Sequence, residues 1–146
     1  MTNLNYYDSL NLQTIEVVYK ILKGVHTMEE KLFDSEKKVM EVIWKKGTIS
    51  AKDISLILNQ EIGWNKNTTY TVIKKCIKKE FIERIEPGFL CQAKITKQQV
   101  IENDTQEFIN RVFEGSVPLM FSSLIKKEKL SEDEIKHLKQ LIDKLR

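Results

Sequence analysis

Three stretches of helical periodicity follow one another between Leu32 and Lys79, and directly behind them the spacing of the apolar residues drops to two. In the first stretch Leu32, Phe33, Val39, Met40, Ile43 and Trp44 share a helical face, with Asp34 placed to cap the start and Gly47 to stop the helix. Ser50 ahead of Ala51, Lys52 and Asp53 predicts an N-cap resembling a capping box with Asp in the Glu position, and Ile54, Ile57 and Leu58 give that short helix its buried stripe. After Gly63 and Trp64, Asn65 is placed to cap a third helix reaching about Lys79, whose inward residues are Thr69, Val72, Ile73, Cys76 and Ile77. Residues 81–86 then alternate loosely, Pro87-Gly88 reads as a turn, and residues 89–95 extend again, which predicts a hairpin.

Three helices and a two-stranded hairpin in this order predict a winged helix-turn-helix. Composition agrees with a mainly helical chain, because 146 residues include only five Gly and two Pro. Behind the hairpin the helical period returns three times. Thr96 to Glu114 carries Val100, Ile101, Phe108, Ile109, Val112 and Phe113; Ser116 to Lys127 carries Val117, Leu119, Met120, Phe121, Leu124 and Ile125. Ser131-Glu132-Asp133-Glu134 is a full capping box, followed by one stripe of Ile135, Leu138, Leu141, Ile142 and Leu145. About 50 residues in three short amphipathic helices bury such stripes poorly by themselves. A second copy is the expected cover, which predicts a mainly α protein with a small β-hairpin: a winged-helix domain over residues 28–95 and a helical dimerisation domain over residues 96–146. Its expected dimer residues are Phe108, Val112, Phe113, Met120, Leu124, Ile135, Leu138, Leu141, Ile142 and Leu145.

The formal net charge of +3 is small, but it is unevenly placed. Residues 1–27 hold two basic and two acidic side chains, residues 28–95 hold 13 and 10, and residues 96–146 hold nine of each. Within the middle segment Lys66, Lys74, Lys75, Lys78 and Lys79 stand together without an acid, on the helix that enters the major groove in this architecture. Opposite its buried face the third helix presents Thr68, Thr71, Lys75 and Lys78, a polar and basic surface with short-armed hydroxyls. The expectation is therefore a regulator that binds double-stranded DNA. The alternative is a winged-helix adaptor that binds proteins, in which the lysines only solvate a helix. Catalysis finds no support: His26 and His137 lie far apart, and neither a Gly-rich phosphate loop nor a nucleophile set is present. Cys76 and Cys91 are too few for a zinc site or a disulfide framework, so neither metal nor cofactor is expected. No apolar run approaches the roughly 18 residues of a membrane span, and the first 19 residues lack the basic charge of a signal peptide. No membrane insertion and a cytoplasmic location are the corresponding expectations.

Asp34-Ser35-Glu36, Val39-Met40, Val42-Ile43-Trp44, Gly63-Trp64-Asn65-Lys66-Asn67-Thr68 and Lys78-Lys79 ahead of Phe81-Ile82 resemble the BlaI/MecI/CopY penicillinase-repressor family. The similarity runs from about Leu32 to Arg146. It implies a dimeric repressor of β-lactam resistance or related genes on a palindromic operator, released when a membrane sensor protease acts on it directly or indirectly. It places the DNA-contacting stretch on Asn65, Lys66, Asn67, Thr68, Thr71 and Lys75, with Lys78 further along the same basic face. Thr68 and Thr71 match the family, whereas Asn67 replaces a usual Lys, Lys75 replaces Arg, and Lys78-Lys79-Glu80 stands where the family has Lys-Lys-Gly. Lys lacks the bidentate grip of Arg, so an altered or weaker operator contact is implied. The wing tip Pro87-Gly88-Phe89 also lacks the basic residue often found there. Copper-responsive members carry paired Cys-x-Cys motifs near the C-terminus, and no cysteine follows Cys91. The scissile Asn-Phe pair of the penicillinase repressors aligns with Ser123-Leu124. Those two mismatches, each worth about 1–3 kcal/mol in a protease pocket, argue against cutting at that bond and leave the Ser116 to Lys127 segment as the expected place for any cut.

Residues 1–27 lie outside the resemblance, and two readings of them stay open. Leu12, Ile15, Val18, Ile21, Leu22 and Val25 keep helical spacing. Alternatively Lys23-Gly24-Val25 is encoded by a purine-rich ribosome-binding sequence and translation starts at Met28; an intact mass of 17.2 kDa for the natively expressed protein would exclude that.

Overall fold

The computed structural model describes residues 30–127 and 130–145, without the side chains of Lys126 and Lys127, and both readings of residues 1–27 fall outside them. The described elements are α1 (Asp34–Lys46), β1 (Ile49–Ser50), α2 (Ala51–Ile62), α3 (Lys66–Lys78), β2 (Ile82–Ile85), β3 (Leu90–Ala93), α4 (Lys97–Phe113), α5 (Val117–Lys127) and α6 (Glu132–Asp143). The chain divides into two compact units, with the division between Val100 and Ile101 inside α4.

The first unit is a winged helix. Helix α1 buries Val39, Met40, Val42 and Ile43, and α2 and α3 close over them with Ile54, Leu58, Val72, Ile73 and Cys76. At about 1.5–3 kcal/mol for each large apolar side chain taken from water, this cluster is the main stabilising term of the unit. Gly47 ends α1 with φ 83°, a value that an L side chain adopts only at a cost. The start of α1 differs from the sequence expectation. Asp34 is the first helical residue and not the cap; Phe33 occupies the cap position, where its N–H donates to Glu36 Oε2 at 3.4 Å. Phe33 is exposed, and Leu32 alone carries the start of the stripe into the core. An acid in the first turn still favours the positive helix end, which is why Asp34 looked like a boundary signal. Ser50 caps α2 as expected, its Oγ accepting from the Asp53 N–H at 3.1 Å.

Strands β2 and β3 form the expected hairpin, pairing Ile82 with Ala93 and Arg84 with Cys91. The sheet has a third member that the sequence reading lacks. Strand β1 pairs antiparallel with β3, Ile49 against Cys91 and Ser50 against Leu90. Two residues are too short to show an alternation, so no period announced β1. Beyond the hairpin, the Trp44 indole N–H donates to the Ile95 carbonyl at 2.9 Å, and Lys97 meets Glu41 at 3.0 Å.

In the second unit each helix has a side-chain cap or a close turn. Thr96 and Gln99, just ahead of the division, form a reciprocal box at α4, with Gln99 N–H to Thr96 Oγ1 at 3.1 Å and Thr96 N–H to Gln99 Oε1 at 2.8 Å. Ser116 Oγ accepts from Leu119 N–H at 3.2 Å and starts α5. Ser131 and Glu134 make the anticipated box at α6, at 3.2 and 2.8 Å. Phe108 and Phe113 meet edge to face at 5.7 Å.

Candidate nucleic-acid interface

Helix α3 is fixed from beneath and open above. Thr69, Val72, Ile73 and Cys76 are buried, while Lys66, Asn67, Thr68, Thr71, Lys74, Lys75 and Lys78 are all exposed. A 3.6-residue period separates the two sets, so the hydroxyls and ammonium groups lie on one side of a helix whose other side cannot rotate without opening the core. Asn65 is exposed as well, but its Oδ1 accepts the Thr68 N–H at 2.8 Å and is spent on the N-cap. Its amide nitrogen is the part left for a ligand. No acid occupies the first turn of α3, which leaves the positive helix end uncompensated by its own side chains.

Lys79 leaves the basic run. Its Nζ lies 2.8 Å from Glu36 Oε1 and 3.1 Å from Oε2, donates to the Lys31 carbonyl at 3.1 Å, and sits 4.3 Å from the Phe33 ring centre. Glu36 is buried, so this pair ties the end of α3 to the start of α1 and does not add to the exposed field. By sequence Lys79 carries the same weight as its neighbours, because a carboxylate 43 residues away leaves no local trace. Glu80 follows with φ 63°, in the left-handed region, at the position where the family resemblance places Gly.

The two thiols are buried, and desolvation dominates both. Cys76 is pushed up to about 12, with Glu36 adding to the effect, and Cys91 to about 11. Thiols held protonated are poor nucleophiles and poor metal ligands. The described helices include none long and apolar enough to cross a membrane.

The second unit places its expected contact residues on the outside. Phe108, Val112, Leu124, Ile135 and Ile142 are exposed, and Phe113, Met120, Leu138, Leu141 and Leu145 are half-buried. Helix α6 buries no residue. Ser123 and Leu124 are both exposed and lie within α5, in regular helix.

The sequence pattern of the penicillinase repressor family matches residues 32–144. The chain is 29% identical over 122 residues to the methicillin resistance regulatory protein MecI of Mammaliicoccus sciuri, covering 80% of this chain and 99% of the relative. It is 29% identical over 112 residues to the penicillinase repressor of Bacillus licheniformis, covering 75% and 88%. Against the penicillinase repressor of Staphylococcus aureus it is 25% identical over 107 residues, covering 72% and 85%. With a match across both units and a winged helix whose third helix exposes a basic, hydroxyl-bearing face, the chain belongs to the penicillinase repressor family of transcriptional repressors.

Proposed function

We propose that the protein is a homodimer that binds a palindromic operator sequence-specifically and represses β-lactam resistance or related genes. Residues 28–95 read the DNA and residues 96–146 hold the two copies together. The observation that carries this reading is the exposed face of α3, where Thr68 and Thr71 stand beside Lys74, Lys75 and Lys78 above a buried apolar face. Hydroxyls and methyls of Thr suit base edges, and ammonium groups suit phosphates. The exposed stripes of the second unit support a second copy as partner, and two linked copies would set two reading helices on two half-sites. A gel shift with the DNA upstream of the protein's own gene tests this. A band that resists excess mixed-sequence competitor and maps to a dyad is expected; equal affinity for both DNAs would favour an adaptor.

Release follows by proteolysis within residues 116–127, triggered by a membrane sensor. Cleavage there separates the reading domain from part of the dimer contact and leaves the winged helix folded. Because Val117–Lys127 forms α5, the helix must open locally before a protease can take any bond there in extended form. Fragment masses from producing cells exposed to a β-lactam check this. A cut confined to residues 1–95 would refute it.

A further inference from the structure

Four side chains link α3 to the hairpin in an unbroken series. Lys66 Nζ stands 5.6 Å from the Tyr70 ring centre, Tyr70 meets Phe89 edge to face at 5.8 Å, and Arg84 Cζ lies 3.6 Å from the Phe89 ring centre. Glu86 closes the series: Oε1 accepts from Arg84 Nε, and Oε2 accepts the Phe89 N–H at 3.2 Å. The Phe89 carbonyl in turn accepts the Ala51 N–H at 2.9 Å. Phe89 has φ 48°, a left-handed value that a bulky residue takes only where its surroundings impose it. Side chains and one strained residue therefore tie the hairpin to Tyr70 of α3, and this series of ring contacts carries Lys66 at one end and Arg84 at the other.

Of the five N–H donors on a guanidinium, Glu86 engages the one on Nε and leaves four. The Arg84 hydrogen bond, followed by the Phe89 N–H, holds the Glu86 carboxyl below the usual carboxylate range, so the pair is neutral overall near pH 7. Both side chains are exposed, at 46% and 56%, and open to a ligand.

We propose that Glu86 is an internal stand-in for a DNA phosphate, holding Arg84 against the Phe89 ring that Tyr70 joins to α3 and yielding it to the backbone of a bound duplex. This rests on the DNA-binding reading above. The exchange has a measurable signature. A lysine that neutralises a phosphate releases about 0.9 counterions, which appears in the salt dependence of binding. When Arg84 passes from Glu86 to a phosphate, the freed carboxylate gathers a cation as the phosphate loses one. Arg84 then positions the wing while adding almost nothing to salt dependence or to affinity for random DNA.

The test uses the full chain as wild type, E86Q, R84Q and the double variant, titrated with a short mixed-sequence duplex over a salt series by fluorescence anisotropy. Gln at position 86 keeps an oxygen for the Phe89 N–H, so the turn holds. E86Q is expected to tighten binding several-fold at low salt and to steepen the logarithmic salt slope by about one unit. In the R84Q background the same change is expected to leave the slope nearly unmoved. An E86Q slope equal to that of a DNA-binding wild type overturns the proposal alone, as does a steepening that persists undiminished without Arg84. Failure of the wild type to bind duplex DNA overturns the parent reading and this one with it.

Discussion

Of the sixteen buried hydrophobic residues among the described ones, fifteen lie at or before Val100, and Ile109 stands alone beyond it. Of the eleven large hydrophobics that remain exposed, eight lie from Ile101 onward. The two units have similar helix chemistry, each with side-chain caps and apolar faces at helical spacing. They differ in whether those faces meet. The first unit closes a core from three helices and a hairpin, and of its large hydrophobics only Phe33, Leu56 and Ile62 stay exposed among the described residues. The second keeps amphipathic helices whose apolar sides are largely exposed, so its stability depends on whatever covers them. Among the described residues, one half closes its own core and the other leaves most of its large apolar side chains open.

The strongest way to break this contrast is to remove α6. Deleting Ser131 to Arg146 is expected to lower operator affinity by about 10²- to 10⁴-fold, through loss of the second linked reader. Sedimentation of the truncated chain as an intact dimer would contradict the assignment. A pair of core and surface substitutions sharpens it. Ile54→Ala should lower unfolding free energy by about 2–5 kcal/mol at every protein concentration, since its side chain is fully buried. Ile142→Ala should show a loss that shrinks on dilution, because at 49% exposure its side chain stabilises mainly through association, and far below the dissociation constant neither chain is associated. Denaturant titrations at two concentrations check both.

Smaller effects are expected on the reading face. Thr71→Ala should reduce discrimination between operator and random DNA by about 1 kcal/mol or somewhat more, through a lost base-edge contact. Lys75→Ala should weaken both DNAs alike and make the salt slope shallower by about one unit per site. Competition gel shifts across salt separate the two. Smallest is a gain: Glu80→Gly at φ 63° should raise stability by about 0.5–1 kcal/mol, since glycine meets no Cβ clash there. An unchanged or lowered denaturation midpoint would show that the surroundings of Glu80 offset the strain.

Periodicity and caps made most of the architecture legible. Ser50, Asn65 and Ser131 each stand where their oxygens accept a backbone N–H, because capping is a local act between residues three apart. Thr96 and Gln99 carry the same signal, which the sequence reading passed over. The face of α3 was legible for the same reason, since burying Thr69, Val72, Ile73 and Cys76 decides what points outward. What escaped is long-range. The Glu36 and Lys79 pair joins residues 43 apart, β1 is two residues long, and Arg84 reaches Phe89 across a turn. The shift of the α1 cap from Asp34 to Phe33 is a boundary error of one residue, where an acid at the helix start serves either position.

The indole of Trp44, bonded to the Ile95 carbonyl, has an optical consequence. Trp44 and Trp64 are the two tryptophans of the chain, and both are half-buried against the core of the winged helix. Intrinsic tryptophan emission therefore reports on that core, while backbone circular dichroism sees helices in both units. Recording the two signals during one denaturant titration separates melting of the winged helix from melting of the helices behind it, with no label attached to the protein.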